Sequence, residues 1–304
     1  MIVVYGTVCL DLLHKVSSLP PKGGYVDIQE EFHALGGEAA NTAASLRRWG
    51  ADIQLVGNPL GQGPEAELLA ALLRHHNLED AVLPWGDHSA PVCHILVTPD
   101  GDRTMFGRGF VEMERRGDPS LMHMQAGAWF TTDPNHGSQA RVATQMAHEA
   151  GMNVYLLDFV KDQETVPQGC YWQSSTVWVG ERGNLEVNKR WLDGWLKKHD
   201  CIAILTDGVD GFLLGTREEG IRHYPAYDIP DSVDSTSAGD MFRAGMLFGL
   251  DMGWELPDTL RYAAVAAALN CRGLGAIGGM EDRTTIERFV KENAETGAQY
   301  QVRV

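Results

Sequence analysis

At 304 residues, with 44% hydrophobic and 22% charged content, the chain can bury one large core or two modest ones. Its net charge of −16 argues against nucleic acid or an anionic membrane as a partner, because phosphate backbones select for Lys and Arg. Cys9, Cys93, Cys170, Cys201 and Cys271 are scattered without a CxxC spacing, and no basic leader precedes the first apolar run. Together they predict a soluble cytoplasmic protein with neither disulfides nor a structural zinc.

A first strand is predicted at 2–5, a β-branched run closing on Gly6, with Asp11 beyond its C-terminal end, the edge where open α/β sheets bind ligands. Residues 12–35 read as irregular, broken by Pro20-Pro21 and Gly23-Gly24, with an exposed strand from 25. Gly36-Gly37 opens an alanine-rich helix to Leu46. Within it Asn41, a modest helix former, is a candidate for hydrogen bonding a ligand. A strand at 53–56 is followed by a loop to Gly63 and a helix at 64–75, with Pro64 suited to its first turn. Residues 92–98 and 103–106 read as a hairpin around Pro99-Asp100-Gly101-Asp102. Further strands are expected at 128–131, 154–159, 176–179 and 201–205, with a helix at 139–150.

This alternation predicts an α/β fold, a mostly parallel central sheet covered by helices on both faces, in a single domain over 1–304. The polar strands within about 12–35 and 90–112 do not suit that sheet and are expected to form a small accessory one. After the strand ending at Leu205, Thr206-Asp207-Gly208-Val209-Asp210-Gly211 makes a turn whose backbone can approach a nucleotide. Asp258 is the expected N-cap of a helix reaching Asn270, and a glycine-rich loop at 273–279 follows it.

The most informative stretch is Asp234-Ser235-Thr236-Ser237-Ala238-Gly239-Asp240, small residues leading into an apolar helix that runs to Leu250. A helix start leaves backbone N–H groups without partners and carries partial positive charge, so it binds anions. Asp240, in the first turn, is placed to accept the proton of a hydroxyl attacking a phosphoryl group.

Gly36-Gly37 with Asn41, then Thr206-x-Gly208-x-x-Gly211, then 234–240 resemble, in order and separation, the ribokinase-like (PfkB) family of carbohydrate and nucleoside kinases. The resemblance runs from Ile2 to about Gly279 and implies a three-layer sandwich with a β-lid from the two insertions. It implies Asp240 as catalytic base, Ser237, Ala238 and Gly239 as anion hole, and Asp11, Gly36, Gly37 and Asn41 at the acceptor. It further implies ATP at Thr206, Gly208, Gly211, Gly273, Gly275 and Ala276, Mg²⁺ as cofactor, and a monovalent cation such as K⁺ at Asp234 and the Thr236 carbonyl. A homodimer through the lid is expected from the same resemblance. Arg103, on the hairpin, is a candidate for reaching a phosphorylated or acidic acceptor.

The chain departs from the family pattern at Ser237, where glycine is usual, and in the magnesium-linked Asn-x-x-Glu, whose residue types stand at the wrong spacing over 180–186; Glu181 is the candidate magnesium-linked acid there. Gln62 and Glu65 stand where Asp-x-x-Gly is usual after the strand at 53–56. The leading expectation is an ATP-dependent kinase for a hydroxyl of a small sugar or sugar derivative. A nucleoside kinase, with Phe106, Phe110 or Trp129 stacking on the base, is one alternative, and a non-catalytic binding protein of the same fold is another. A nicotinamide dehydrogenase is disfavoured because Gly6-Thr7-Val8-Cys9-Leu10-Asp11 is not a GxGxxG turn.

Overall fold

The computed structural model describes residues 1–83, 86–99, 103–113, 117–161, 164 and 166–300. In chain order the elements are β1 (Ile2–Gly6), β2 (Cys9–Val16), β3 (Ile28–Gly36), α1 (Glu38–Arg48), β4 (Ile53–Gly57), α2 (Pro64–His75), β5 (Val92–Val97) and β6 (Arg103–Arg108). Then come α3 (Phe110–Met113), β7 (Trp129–Thr132), α4 (Gly137–Glu149), β8 (Asn153–Leu157), β9 (Tyr171–Ser175), α5 (Leu185–Lys198) and β10 (Ile202–Thr206). The last are β11 (Phe212–Thr216), β12 (Gly220–Tyr224), α6 (Ala238–Asp251), α7 (Leu256–Asn270), α8 (Arg283–Glu292) and α9 (Ala294–Ala298).

The large sheet has the strand order β12-β11-β10-β9-β8-β7-β1-β4. It is parallel from β4 to β10 and antiparallel where β11 and β12 close one edge. Because both faces carry helices, β1 is buried at every position. Ile2 and Val4 pack into the layer of α1, α6 and α7, while Val3 and Tyr5 point the other way, into the layer of α4 and α5. That second layer holds Trp172, fully buried, with its ring centroid 4.6 Å from that of Trp195.

The small sheet has the order β3-β2-β5-β6, with β2 antiparallel to β3, parallel to β5, and β5 antiparallel to β6. The hairpin of β5 and β6 agrees with the sequence expectation; residues 100–102 of its turn lie outside the described residues. Its central strand, β2, does not: that segment was expected to be irregular from Leu12. Six of its eight positions are buried, so it lacks the polar alternation by which a half-exposed strand is recognised. Residues 176–179 are a turn, not a strand; the strand precedes them, at β9. α7 starts earlier than expected, capped at Glu255, and Asp258 lies in its first turn, paired with Arg261 at 2.7 Å.

The parallel strands end along one edge, and the start of α6 is tied to that edge. The Gln173 side chain of β9 donates from Nε2 to the Gly239 carbonyl at 2.9 Å. No helix among the described residues is long and apolar enough to cross a membrane.

Candidate active site

Ser237 is the N-cap of α6 and adopts φ 59°, ψ 13°, the left-handed region that glycine occupies without strain. The serine is held there by its side chain. Its hydroxyl donates to Asp240 Oδ2 at 2.6 Å, while Asn41 Nδ2, from α1, lies 2.6 Å from Ser237 Oγ and 3.0 Å from Asp240 Oδ2. The other carboxylate oxygen of Asp240 faces Arg243, one turn along α6, at 3.3 Å. Arg243 is fully buried and also donates to Thr42 Oγ1 at 3.0 Å and to the Glu38 carbonyl at 2.5 Å. Two helices thus fix the orientation of one carboxylate that is only 5% exposed. Burial pushes the Asp240 carboxyl above its ordinary range, and Arg243, Ser237 and Asn41 pull it back.

Asp11 lies within β2, not in a loop beyond β1, and is 5% exposed. Gly36 makes room for it, since a Cβ at that position would stand 2.1 Å from Asp11 Oδ1. Burial raises the Asp11 carboxyl to about 7, the Cys9 thiol opposes the rise by donating at 3.5 Å, and the charge of Asp240 adds to it. Gly37 caps α1, so Gly36, Gly37 and Asn41 together carry β3 into the helix that reaches Asp240. Arg103, the first residue of β6, reaches Ser235 Oγ at 3.4 Å and so links the small sheet to the loop before α6.

The glycine-rich loop at 273–279 lies against that same loop: Gly275 N donates to Asp234 Oδ2 at 2.8 Å. Thr206 ends β10, its carbonyl accepting from Thr176 N at 2.9 Å, and Gly208 begins the short turn that ends at Gly211. Gly211 has a structural reason of its own, because a Cβ there would fall 2.0 Å from the Tyr224 carbonyl. Glu181 is exposed, and its backbone is clasped by Asn188, which in turn donates to Asp207 at 3.0 Å. Among the aromatic candidates, Phe106 is 57% exposed on β6, while Trp129 begins β7 at the opposite end of the strands and packs edge-on against Tyr171. Phe110 lies over Gly107, where a Cβ would touch its ring at 2.8 Å.

Several participants escaped the sequence reading. Arg243 sits inside an apolar helix face, where spacing alone gives no sign of it. Asp133 and Asp158 each follow a strand directly, and the strand-end rule applied to Asp11 would have found both. Asp133 accepts from Thr7 N at 2.9 Å and from Thr7 Oγ1 at 3.0 Å. Asp158 accepts from Ser174 Oγ at 2.6 Å; burial raises it to about 6, the charge of Asp240 adds to the rise, and Arg243 opposes it. The Glu38 carboxyl is pushed well up, first by burial, then by Asp133, Asp240 and Asp158.

A carboxylate in the first turn of a helix, at the C-terminal edge of a parallel sheet and beside a small second sheet, is an arrangement suited to a small-molecule kinase. The chain belongs to the pfkB family of carbohydrate kinases, whose profile matches residues 1–168 and 176–283, and it is an ATP-dependent kinase. An uncharacterized sugar kinase of Dictyostelium discoideum is 26% identical over 96% of this chain and 98% of its own. The acarbose 7(IV)-phosphotransferase of an Actinoplanes species is 28% identical over 94% and 97%. The fold is that of Arabidopsis thaliana ribokinase, solved with ribose and ATP. That structure superposes with a TM-score of 0.76 at 20% identity, covering 95% of this chain and 98% of the other.

Proposed function

We propose that this kinase transfers the γ-phosphoryl group of ATP to a hydroxyl of an uncharged sugar or sugar derivative, with Asp240 as general base. The observation that carries the reading is the Asp240 carboxylate in the first turn of α6, held by Asn41, Ser237 and Arg243. As the acceptor oxygen forms its bond to phosphorus, its proton passes to Asp240 and the bond to the ADP oxygen breaks. The Gly239 N–H, in the first turn of α6, meets the charge on the transferring group, while the Ala238 N–H donates to the Ser235 carbonyl at 3.2 Å and shapes the turn.

Asp11 and Asn41 are suited to hold the acceptor's other hydroxyls. Arg243, the cation beside Asp240, is already engaged with Asp240, Thr42 and the Glu38 carbonyl, which favours an acceptor without a phosphate. Thr206, Gly208 and Gly211, with the loop of Gly273, Gly275 and Ala276, form the proposed nucleotide side. No group of three or more potential ligands among the described residues could hold a metal unaided. Mg²⁺ carried on the nucleotide phosphates, with Asp158 available for an outer contact, would neutralise phosphate charge. The small sheet serves as lid, and through it the chain forms a homodimer.

A nucleoside is the second reading, favoured by Phe110. Asp11, Cys93 and Gly107 form one cross-strand row, and the Phe110 ring lies over the last of them, beside the proposed acceptor.

The test is ADP release with ATP and Mg²⁺ over neutral hexoses and pentoses, their phosphates, sugar acids and nucleosides. Turnover is expected on a neutral polyol and not on its phosphate, falling by about 10²-fold or more in Asp240→Asn. Preference for a nucleoside would select the second reading. Silence across the panel with ligand-induced thermal stabilisation intact would make the chain a binding protein.

A further inference from the structure

The cation site expected at Asp234 and the Thr236 carbonyl does not fit a cation here. Asp234 is 4% exposed, and donors from this chain engage both of its oxygens. Oδ1 accepts from Thr236 N at 2.8 Å and from Thr236 Oγ1 at 2.6 Å, and Oδ2 accepts from Gly275 N at 2.8 Å. The Thr236 carbonyl is engaged as well. Asn270, the last residue of α7 and fully buried, places its side-chain nitrogen 3.3 Å from that carbonyl and 2.9 Å from the carbonyl of Ala276. Two acceptors facing one amide require the NH₂ group on that side, because the reverse orientation would set oxygen against oxygen. The protons of Nδ2 therefore occupy the space in which an ion bridging the two carbonyls would have to stand.

We propose that Asn270 is a positioning residue which replaces a monovalent cation, so that the enzyme works without K⁺. Thr236 belongs to the loop that sets the start of α6, and Ala276 to the glycine-rich loop on the nucleotide side. Facing carbonyl dipoles repel, and in cation-bound carbonyl sites the ion cancels that repulsion. Here the two amide protons do so, one for each carbonyl. Asp234 fastens the same two loops a second time, through Thr236 and Gly275. The backbone supplies a third tie, with Val233 N and Asp234 N both donating to the Cys271 carbonyl, at 2.7 and 3.1 Å. The anion hole is thus held by protein donors at each point where the family resemblance placed an ion.

The inference rests on the kinase reading for its kinetic consequence but not for its binding consequence, and the experiment separates the two. Thermal unfolding of the full chain, without acceptor, is followed in KCl, NaCl and tetramethylammonium chloride at equal ionic strength. The wild-type midpoint is expected to be the same in all three. Asn270→Ser and the near-isosteric Asn270→Asp, which each remove the bridging donor, are expected to gain a saturable stabilisation by K⁺. With an acceptor in hand, wild-type kcat is expected to change less than about twofold between K⁺ and tetramethylammonium. Each variant is expected to lose about tenfold in tetramethylammonium and to recover most of it in K⁺. Saturable stabilisation or several-fold activation of the wild type by K⁺ overturns the proposal. So does a folded variant whose loss K⁺ does not repair, since Asn270 would then be packing alone. Should neither variant fold, the wild-type series still decides.

Discussion

Asp11 shows what placing a carboxyl in a strand of the small sheet costs the fold. Burial raises it from an ordinary 3.8 to about 7, so between those values the folded chain binds a proton that the unfolded chain has released. The contribution is fully present below the unfolded pKa and is lost as pH rises through the folded one. At pH 8 the ionised group therefore lowers stability by a few kcal/mol as an order of magnitude, about 1.4 for each unit of the shift. Asp11→Asn is expected to raise the unfolding midpoint at pH 8, with the difference from wild type shrinking towards pH 4. The same substitution is expected to raise the KM for the acceptor. Calorimetry across that range checks the first claim, and a variant less stable than wild type at pH 8 would contradict it. Stability given up at a site proposed to hold the acceptor's hydroxyls is the pattern of a functional carboxylate.

At the scale of the element, the start of α6 combines a strained backbone with a hydrogen bond that offsets the strain. A left-handed residue other than glycine costs roughly 1–2 kcal/mol, and Ser237 adopts that conformation while donating to Asp240. Ser237→Gly removes both terms, so stability is expected to stay within about 1 kcal/mol of wild type. Because the lost hydroxyl was lowering Asp240, the acid limb of kcat/KM is expected to move to higher pH. A pH–rate profile shifted the other way would show that Ser237 does not tune the base. α6 was legible because a small-residue turn before an apolar helix is a local signal. α1 was legible for the same reason, from Gly36-Gly37 to Asn41. Ser237 and Asn41 came with these two signals, and the strand-end rule reaches Asp133 and Asp158, but Arg243 reads as one charge on an apolar helix, and Glu38 meets Asp240 only once α1 and α6 have packed. Nor was α5 apparent, since its start at Leu185 falls inside the stretch that the family's magnesium-linked motif would occupy.

For the whole molecule, the alternation of strands and helices was enough to foresee a covered parallel sheet, but not the strand that anchors the small one. The small sheet has two unlike faces. On the face that carries Asp11, Leu13 and Ile95 are 2% exposed, Val97 is 8% exposed, and Leu274 of the glycine-rich loop packs against them. The opposite face carries Leu12, His94 and Leu96, all partly exposed, and Phe106 beside His94 in register. A sheet with apolar groups on a face its own chain leaves partly open gains by covering that face with another copy, which places the proposed dimer there. The protein is expected to show twice the chain mass by light scattering at micromolar concentration, and Phe106→Asp is expected to weaken the dimer by about tenfold or more. Phe106 points away from the row of Asp11, so the variant should keep kcat at saturating acceptor while its KM rises, because the sheet holding Asp11 loses the support of the second copy. A wild type that stays monomeric across the concentration range would remove the dimer. A dimer indifferent to Phe106→Asp would move the contact off this face.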